Sequence, residues 1–253
     1  MTENQEPITI DKVSFFLKEP HSFEWLKEWG YVFCVFDQQD SGNLSFGLEK
    51  DGKKSFVKYA GAKTLEYLGD PAEAVEKLKA SVPIYTYLRH PHLVNLITAF
   101  PVGHEGYALI FEWFEGECLH SHWLFQSTSE KYTDPGSPFY RFKQFPVDKR
   151  LIAYQTIVDF HIEVERKNYI AVDLYDGSIL YHFKTHTTKL CDIDYYQKRP
   201  FVNTMGRLYG SKRFMSPEEF TLGAVIDERT NVFNLGAMAF ALFGGELDRS
   251  FSK

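Results

Sequence analysis

Short apolar runs broken by polar turns fill the first part of the chain, and they predict strands over Tyr31–Phe36, Asn43–Glu49 and Lys54–Ala60. Asp51-Gly52 separates the second from the third, a compact hairpin signal. Upstream, Phe23, Trp25, Leu26 and Trp29 alternate with charges at a spacing that predicts a short amphipathic helix over Ser22–Trp29. Residues before about Ile8 read as a free end. A longer helix starts at Asp70-Pro71 and carries Ala74, Leu78, Val82, Tyr85 and Leu88 at intervals of three or four, with Pro83 predicting a break or kink. Two further strands are predicted at Leu93–Phe100 and Tyr107–Trp113, turning at Gly103 to Gly106.

After Gly116 the pattern changes to helices and loops. Ser127 to Val147 is rich in Ser, Pro, Gly, Tyr and Lys and reads as a surface insertion. Asp148 to Glu165 predicts a long helix whose apolar face is Leu151, Ile152, Tyr154, Ile157, Val158 and Phe160. The apolar fraction of 44% over 253 residues supports a sizeable core and excludes wholesale disorder. A net charge of −6 argues against nucleic acid or an anionic membrane as a general partner. Cys34, Cys118 and Cys191 lie far apart, neither a disulfide framework nor a zinc pattern, which suits a reducing interior. The start is acidic and no apolar run spans a bilayer, so the chain is expected to be soluble and cytoplasmic.

Three charged residues carry the candidate chemistry. Lys58 ends the strand Ser55-Phe56-Val57-Lys58, where preceding strands cover a ligand. Asp173 opens a loop that runs to Leu180, and Asp192 follows the apolar stretch ending at Cys191. Two carboxylates on adjacent loops and one strand lysine suit Mg-dependent phosphoryl transfer, one acid orienting a hydroxyl and the other holding metal against phosphates.

In this order the chain resembles the protein kinase superfamily, as a bacterial Ser/Thr protein-kinase-like domain with degenerate motifs, from about Tyr31 to Gly244. The resemblance rests on Ser55 to Lys58, Leu88-Arg89-His90-Pro91-His92-Leu93-Val94 and Leu109 to Trp113 with Glu115-Gly116. It continues through Ala171 to Leu180, Asp192-Ile193-Asp194, Met215-Ser216-Pro217-Glu218 and Asn231 to Gly236. It implies one α+β domain over residues 1–253. Its N-lobe, 21–112, is a five-stranded antiparallel sheet plus a helix; its C-lobe, 113–253, is mainly helical and truncated or minimal after the central helix. It further implies ATP and Mg2+ as cofactors, with Lys58 and Asp173 catalytic. Gly42, Lys58, Phe111, Glu112, Trp113 and Phe114 would bind nucleotide, and Asp192, Ser178 and Asp194 the metal.

The departures from the family pattern are as informative. Only Gly42 remains of a glycine-rich loop. Ser81 stands where the helix glutamate that partners the lysine is expected, with Glu76 the nearest upstream acid. The His-Arg-Asp triplet is Ala171-Val172-Asp173, the following lysine is Tyr175, the metal-binding asparagine is Ser178, the metal-motif glycine is Asp194, and the helix-opening aspartate is Asn231. Asp194 and Asp176 offer substitute carboxylates. The reading is an ATP:hydroxyl phosphotransferase acting on a protein, with a pseudokinase that binds nucleotide or protein as the alternative and a small-molecule kinase as a second. Because Val172 offers no donor to a phosphate, the segment from Asp192 to Glu218 is expected to hold its shape by packing, with Phe201, Leu208 and Phe214 turned inward and no need of phosphorylation.

Overall fold

The computed structural model describes residues 6–121, 123 and 129–244 of a mixed α+β chain whose sheets are antiparallel. Ser127 and Thr128 of the expected insertion and everything after Gly244, where the C-lobe was expected to be truncated or minimal, lie outside the described residues. Two compact units divide it, Met1–Thr86 with Asn95–Trp113 and Tyr87–Val94 with Phe114–Lys253. Among the described residues no helix is long and apolar enough to cross a membrane.

The first unit begins with the hairpin β1 (Ile8–Ile10) and β2 (Val13–Phe15), so Ile8 opens a strand directly after the expected free end. A 3₁₀ turn at Glu24–Glu28 replaces the predicted amphipathic helix. Five strands follow: β3 (Tyr31–Phe36), β4 (Asn43–Lys50), β5 (Lys53–Ala60), β6 (Leu96–Val102) and β7 (Gly106–Glu112). Their spatial order is β3-β4-β5-β7-β6. Asp51 and Gly52 close the β4–β5 hairpin with φ of 52° and 71°, the left-handed pair that a two-residue turn of this twist requires.

Strand alternation then assigns the faces. Leu44, Phe46 and Leu48 on β4, Val57 and Tyr59 on β5, and Ala108 and Ile110 on β7 share one buried cluster with Phe15, Leu17, Phe23 and Leu26. Phe23 sits edge-on to both Phe15 and Phe46, with ring centres 5.5 and 5.4 Å apart. By the same alternation Phe56, Lys58, Leu109 and Phe111 point to the opposite face. There α1 (Pro71–Tyr87) lies, its Tyr85 ring 4.9 Å from Phe111. Pro83 does not break α1: the helix runs on to Tyr87, because losing one backbone donor costs less than unburying Leu78 and Tyr85.

In the second unit β8 (Glu117–Cys118) is followed by α2 (Glu130–Thr133), α3 (Pro138–Lys143) and α4 (Val147–Arg166). The segment expected to be a surface insertion is therefore structured, with Lys131, Tyr132, Phe139 and Phe142 all buried. Ser137 starts α3 by accepting the Tyr140 amide, with Pro138 in the first turn, where a missing N–H costs nothing. On α4 the predicted apolar face is rotated: Leu151 and Ile152 are exposed, and Ala153, Ile157, Phe160, His161 and Val164 are buried. Those positions recur at four, three, one and three residues, the true helical stripe.

Next come β9 (Tyr169–Ile170), β10 (Ile179–His182), β11 (Thr187–Leu190), β12 (Gln197–Lys198), β13 (Phe201–Val202), β14 (Val225–Ile226) and α5 (Glu228–Phe243). β10 lies between β8 and β11, while β9 pairs with β12 and β13 with β14.

Gly47 on β4 shows how tightly the sheet is filled. A Cβ there would lie 2.5 Å from Cys34 Sγ and 2.6 Å from the Phe33 ring. Gly47→Ala is expected to cost about 1–3 kcal/mol through overpacking, read as a lower urea midpoint at an unchanged slope. An unaltered midpoint would show that the Phe33 ring swings aside freely.

Candidate functional site

Lys58 pairs across the sheet with Ser45 on β4 and Leu109 on β7, and only 8% of it is exposed. A lysine is rarely so buried without a role for its charge. Gly42 precedes β4 with φ of 81°, and a Cβ there would meet the Tyr67 ring at 2.7 Å and Ala74 Cβ at 2.9 Å. Packing against α1 therefore explains this glycine without any phosphate. Phe111 is buried against Phe56 and Tyr85. Glu112 takes hydrogen bonds into the Asn95 pair, donating its N–H to the carbonyl and accepting from the amide at 3.0 Å each. Trp113 stacks edge-on with Phe33 at 4.9 Å, and its buried Nε1 has no hydrogen-bond partner. Of the two helix positions weighed for Lys58, Glu76 pairs with Lys79 at 2.8 Å and Ser81 donates to the Leu78 carbonyl at 2.8 Å.

In the second unit the loop after β9 is pinned from α5. Asn231 Oδ1 accepts the Ala171 N–H at 2.8 Å, while its Nδ2 donates to the Tyr169 carbonyl at 2.9 Å and to Glu165 at 3.0 Å. Ala171 and Ile170 are fully buried, so this neutral amide satisfies backbone groups that water does not reach. This is the position at which the resemblance implied a helix-opening aspartate.

Past that clamp, Asp173 has φ of 66° and Asp192 has φ of 56°. Other non-glycine residues with positive φ include Asp11, Asp51 and His186 at hairpin turns and Asn168 beyond α4. Asp173 and Asp192 sit in neither setting, and local strain of this kind concentrates at functional sites. Both aspartates act on the same two phenols. Tyr175 and Tyr196 are each pushed well above the usual tyrosine range, first by burial and then by the negative charge of Asp173 and Asp192. The two carboxylates predicted from the sequence are thus brought into one neighbourhood.

Tyr175 takes the position where the resemblance implied a lysine. Ser178 is fully buried, its hydroxyl 3.5 Å from the Asp173 carbonyl, and its own carbonyl accepts the Cys191 N–H at 2.9 Å. That backbone bond ties the Asp173 loop to the residue before Asp192. Asp194 is half-buried and follows the fully buried Ile193. Phe114 lies 6.3 Å from the His182 ring. Asp176, weighed as a substitute metal ligand, is instead buried in an ion pair with Lys131.

The segment from Asp192 to Glu218 lies on the loop through apolar contacts. Val172 shares a buried cluster with Ile170, Leu208, Met215 and Ile226, with Tyr195 and Phe201 packed against it. Leu208 and Phe214 are buried and Phe201 half-buried, matching the inward orientation expected of them. A Cβ on Gly210 would come within 3.7 Å of Asp173 Cα, so the segment passes directly over Asp173.

His161 is a member of this neighbourhood that sequence reading missed, since a single histidine on an apolar helix face carries no signal. Its Nδ1–H donates to the Ile157 carbonyl at 2.7 Å, which leaves Nε2 to accept from the Tyr196 hydroxyl at 2.9 Å. Burial drops its pKa to about 4 from 6.5. Below 6.5 the unfolded chain binds a proton that the folded chain refuses, so stability falls as pH drops towards 4. Wild type should lose about 2–3 kcal/mol more than His161→Gln between pH 7 and pH 4.5, measured by urea unfolding. Equal losses would mean that the imidazole ionises in place.

No protein-family model matches the chain, and no curated protein sequence matches it either.

Proposed function

We propose that the chain is a phosphotransferase of protein-kinase-like, two-lobed fold that moves the γ-phosphate of Mg-ATP to a protein hydroxyl. The observation that carries this reading is the convergence of Asp173 and Asp192, both in left-handed backbone conformation, on Tyr175 and Tyr196. The donor set fits magnesium, which takes one or two carboxylates and completes its shell with water and phosphate oxygens. Asp192 is the carboxylate that would hold the ion, and the half-buried Asp194 is next in reach along the chain. Ser178 is a weaker donor, because its hydroxyl is fully buried beside a carbonyl. Bound magnesium would neutralise phosphate charge; Asp173 would orient and accept the proton of the attacking hydroxyl. On this reading Lys58, buried on β5, would be the cation for the phosphates.

A second reading, nucleotide binding without turnover, is favoured by Tyr175. A buried phenol beside both carboxylates replaces the mobile cation that a phosphoryl transfer would use, and it holds no charge near neutral pH.

Calorimetry with Mg-ATP and release of labelled phosphate separate the two. Lys58→Ala should weaken Mg-ATP binding by about 1.5–3 kcal/mol. Asp192→Asn should abolish the magnesium-dependent part of the affinity. Asp173→Asn should leave affinity unchanged and lower turnover by roughly 10²–10⁴-fold. Absence of binding heat at millimolar Mg-ATP would sink the phosphotransferase, whereas binding with no phosphate transfer favours the second reading.

A further inference from the structure

Asp176 is 1% exposed and lies one residue beyond Tyr175, in the 3₁₀ turn Asp176–Ser178. Three side chains from three other parts of the second unit meet it. Lys131 of α2, 3% exposed, donates to its Oδ2. His120 Nδ1 lies 3.6 Å from its Oδ1 and 2.7 Å from Lys131 Nζ. Arg213, from the segment between Asp192 and Glu218, brings Nη1 to 3.9 Å from Oδ2 and donates to the Tyr132 hydroxyl. Its guanidinium also lies over the Tyr132 ring, 5.2 Å from the centre.

The cluster is deliberate in cost. A buried lysine and carboxylate each lose hydration worth several kcal/mol, and a core of apolar residues would hold α2 as well or better. Burial lowers the Lys131 pKa, with the Asp176 charge opposing that shift. What an apolar replacement would not provide is a negative charge for Arg213 to find. Val172 beside the catalytic-type aspartate offers the segment no donor, and the apolar cluster around it fixes Leu208 and Met215 but has no directional bond. Asp176 supplies direction with the opposite polarity: the acid is on the loop and the guanidinium is on the segment.

We infer that Asp176 is a positioning residue that, with Lys131 as its resident counter-ion, draws Arg213 inward and holds the segment from Asp192 to Glu218 over the Asp173 loop without phosphorylation. The consequence for turnover rests on the phosphotransferase reading; the consequence for segment order does not.

Arg213→Met is the leading variant, because a residue 30% exposed is replaced without opening the core. Hydrogen exchange over residues 203–216 should rise by about tenfold or more, while the melting temperature moves by about 2 °C at most. Phosphate transfer should fall by about tenfold with Mg-ATP affinity within about twofold, and Arg213→Lys should restore part of it. Asp176→Asn strands Lys131 and should lower the melting temperature. The paired change Lys131→Met with Asp176→Leu should recover that temperature yet keep the fast exchange. Wild-type exchange in both Arg213→Met and the paired variant would overturn the inference and leave Lys131–Asp176 as a core ion pair alone. If the wild type transfers no phosphate, the functional reading fails, and the exchange rates still decide the positioning role.

Discussion

The backbone around Ala171 lies where water does not reach, and its polar groups must be satisfied from within the protein. Asn231 meets that requirement because an amide can accept and donate at once: it takes the Ala171 N–H and gives to the Tyr169 carbonyl. An aspartate would accept the first bond but, when ionised, has no proton for the second. With β9 and its exit fixed in this way, the chain has little freedom before Asp173, and the left-handed turn there is imposed rather than chosen. The position of Val172 under Leu208 and Met215, and the passage of Gly210 over Asp173, follow from the same anchor.

Around that anchor the sequence exchanges one kind of interaction for another. Val172 contributes apolar burial worth about 1.5–3 kcal/mol but without direction. Asp176 and Arg213 return the direction. Lys131 is the element that makes this tolerable: burying a carboxylate without a counter-charge is costly, and Lys131 donates to Asp176 from a position as buried as its own.

Much of the first unit was legible because its strands alternate cleanly. β3, β4 and β5 fall within a residue of the runs read from Tyr31 to Ala60, and the face of Lys58 follows from Val57 and Tyr59 on either side. The Asp51-Gly52 turn was equally plain. Where prediction failed, several partners of similar weight competed. Leu151 and Ile152 are as apolar as Ile157, and only the packing of α4 decides that the stripe runs through Ala153 and His161. Pro83 carries a strong local signal that the burial of Leu78 and Tyr85 overrides. Lys131 was hidden by composition: a polar stretch reads as surface, and nothing local says that Asp176, 45 residues later, will take its charge indoors. The two aspartates could be picked from order and spacing, but Tyr196 and His161 could not, because their roles arise only from proximity.

Proximity also fixes the electrostatic character of the candidate site. Burial and the nearby carboxylates push Tyr175 and Tyr196 upward, and the Cys118 thiol rises to about 12, first by burial and then with Asp176 and Asp192 among the opposing charges. Cys118 donates to the Gly177 carbonyl at 3.3 Å and Cys191 approaches it at 3.7 Å, so the thiols serve as weak donors to the turn. His161, its pKa lowered by burial to about 4, adds no positive charge beside Tyr196 near neutral pH, so the hydrogen bond between them joins two neutral groups.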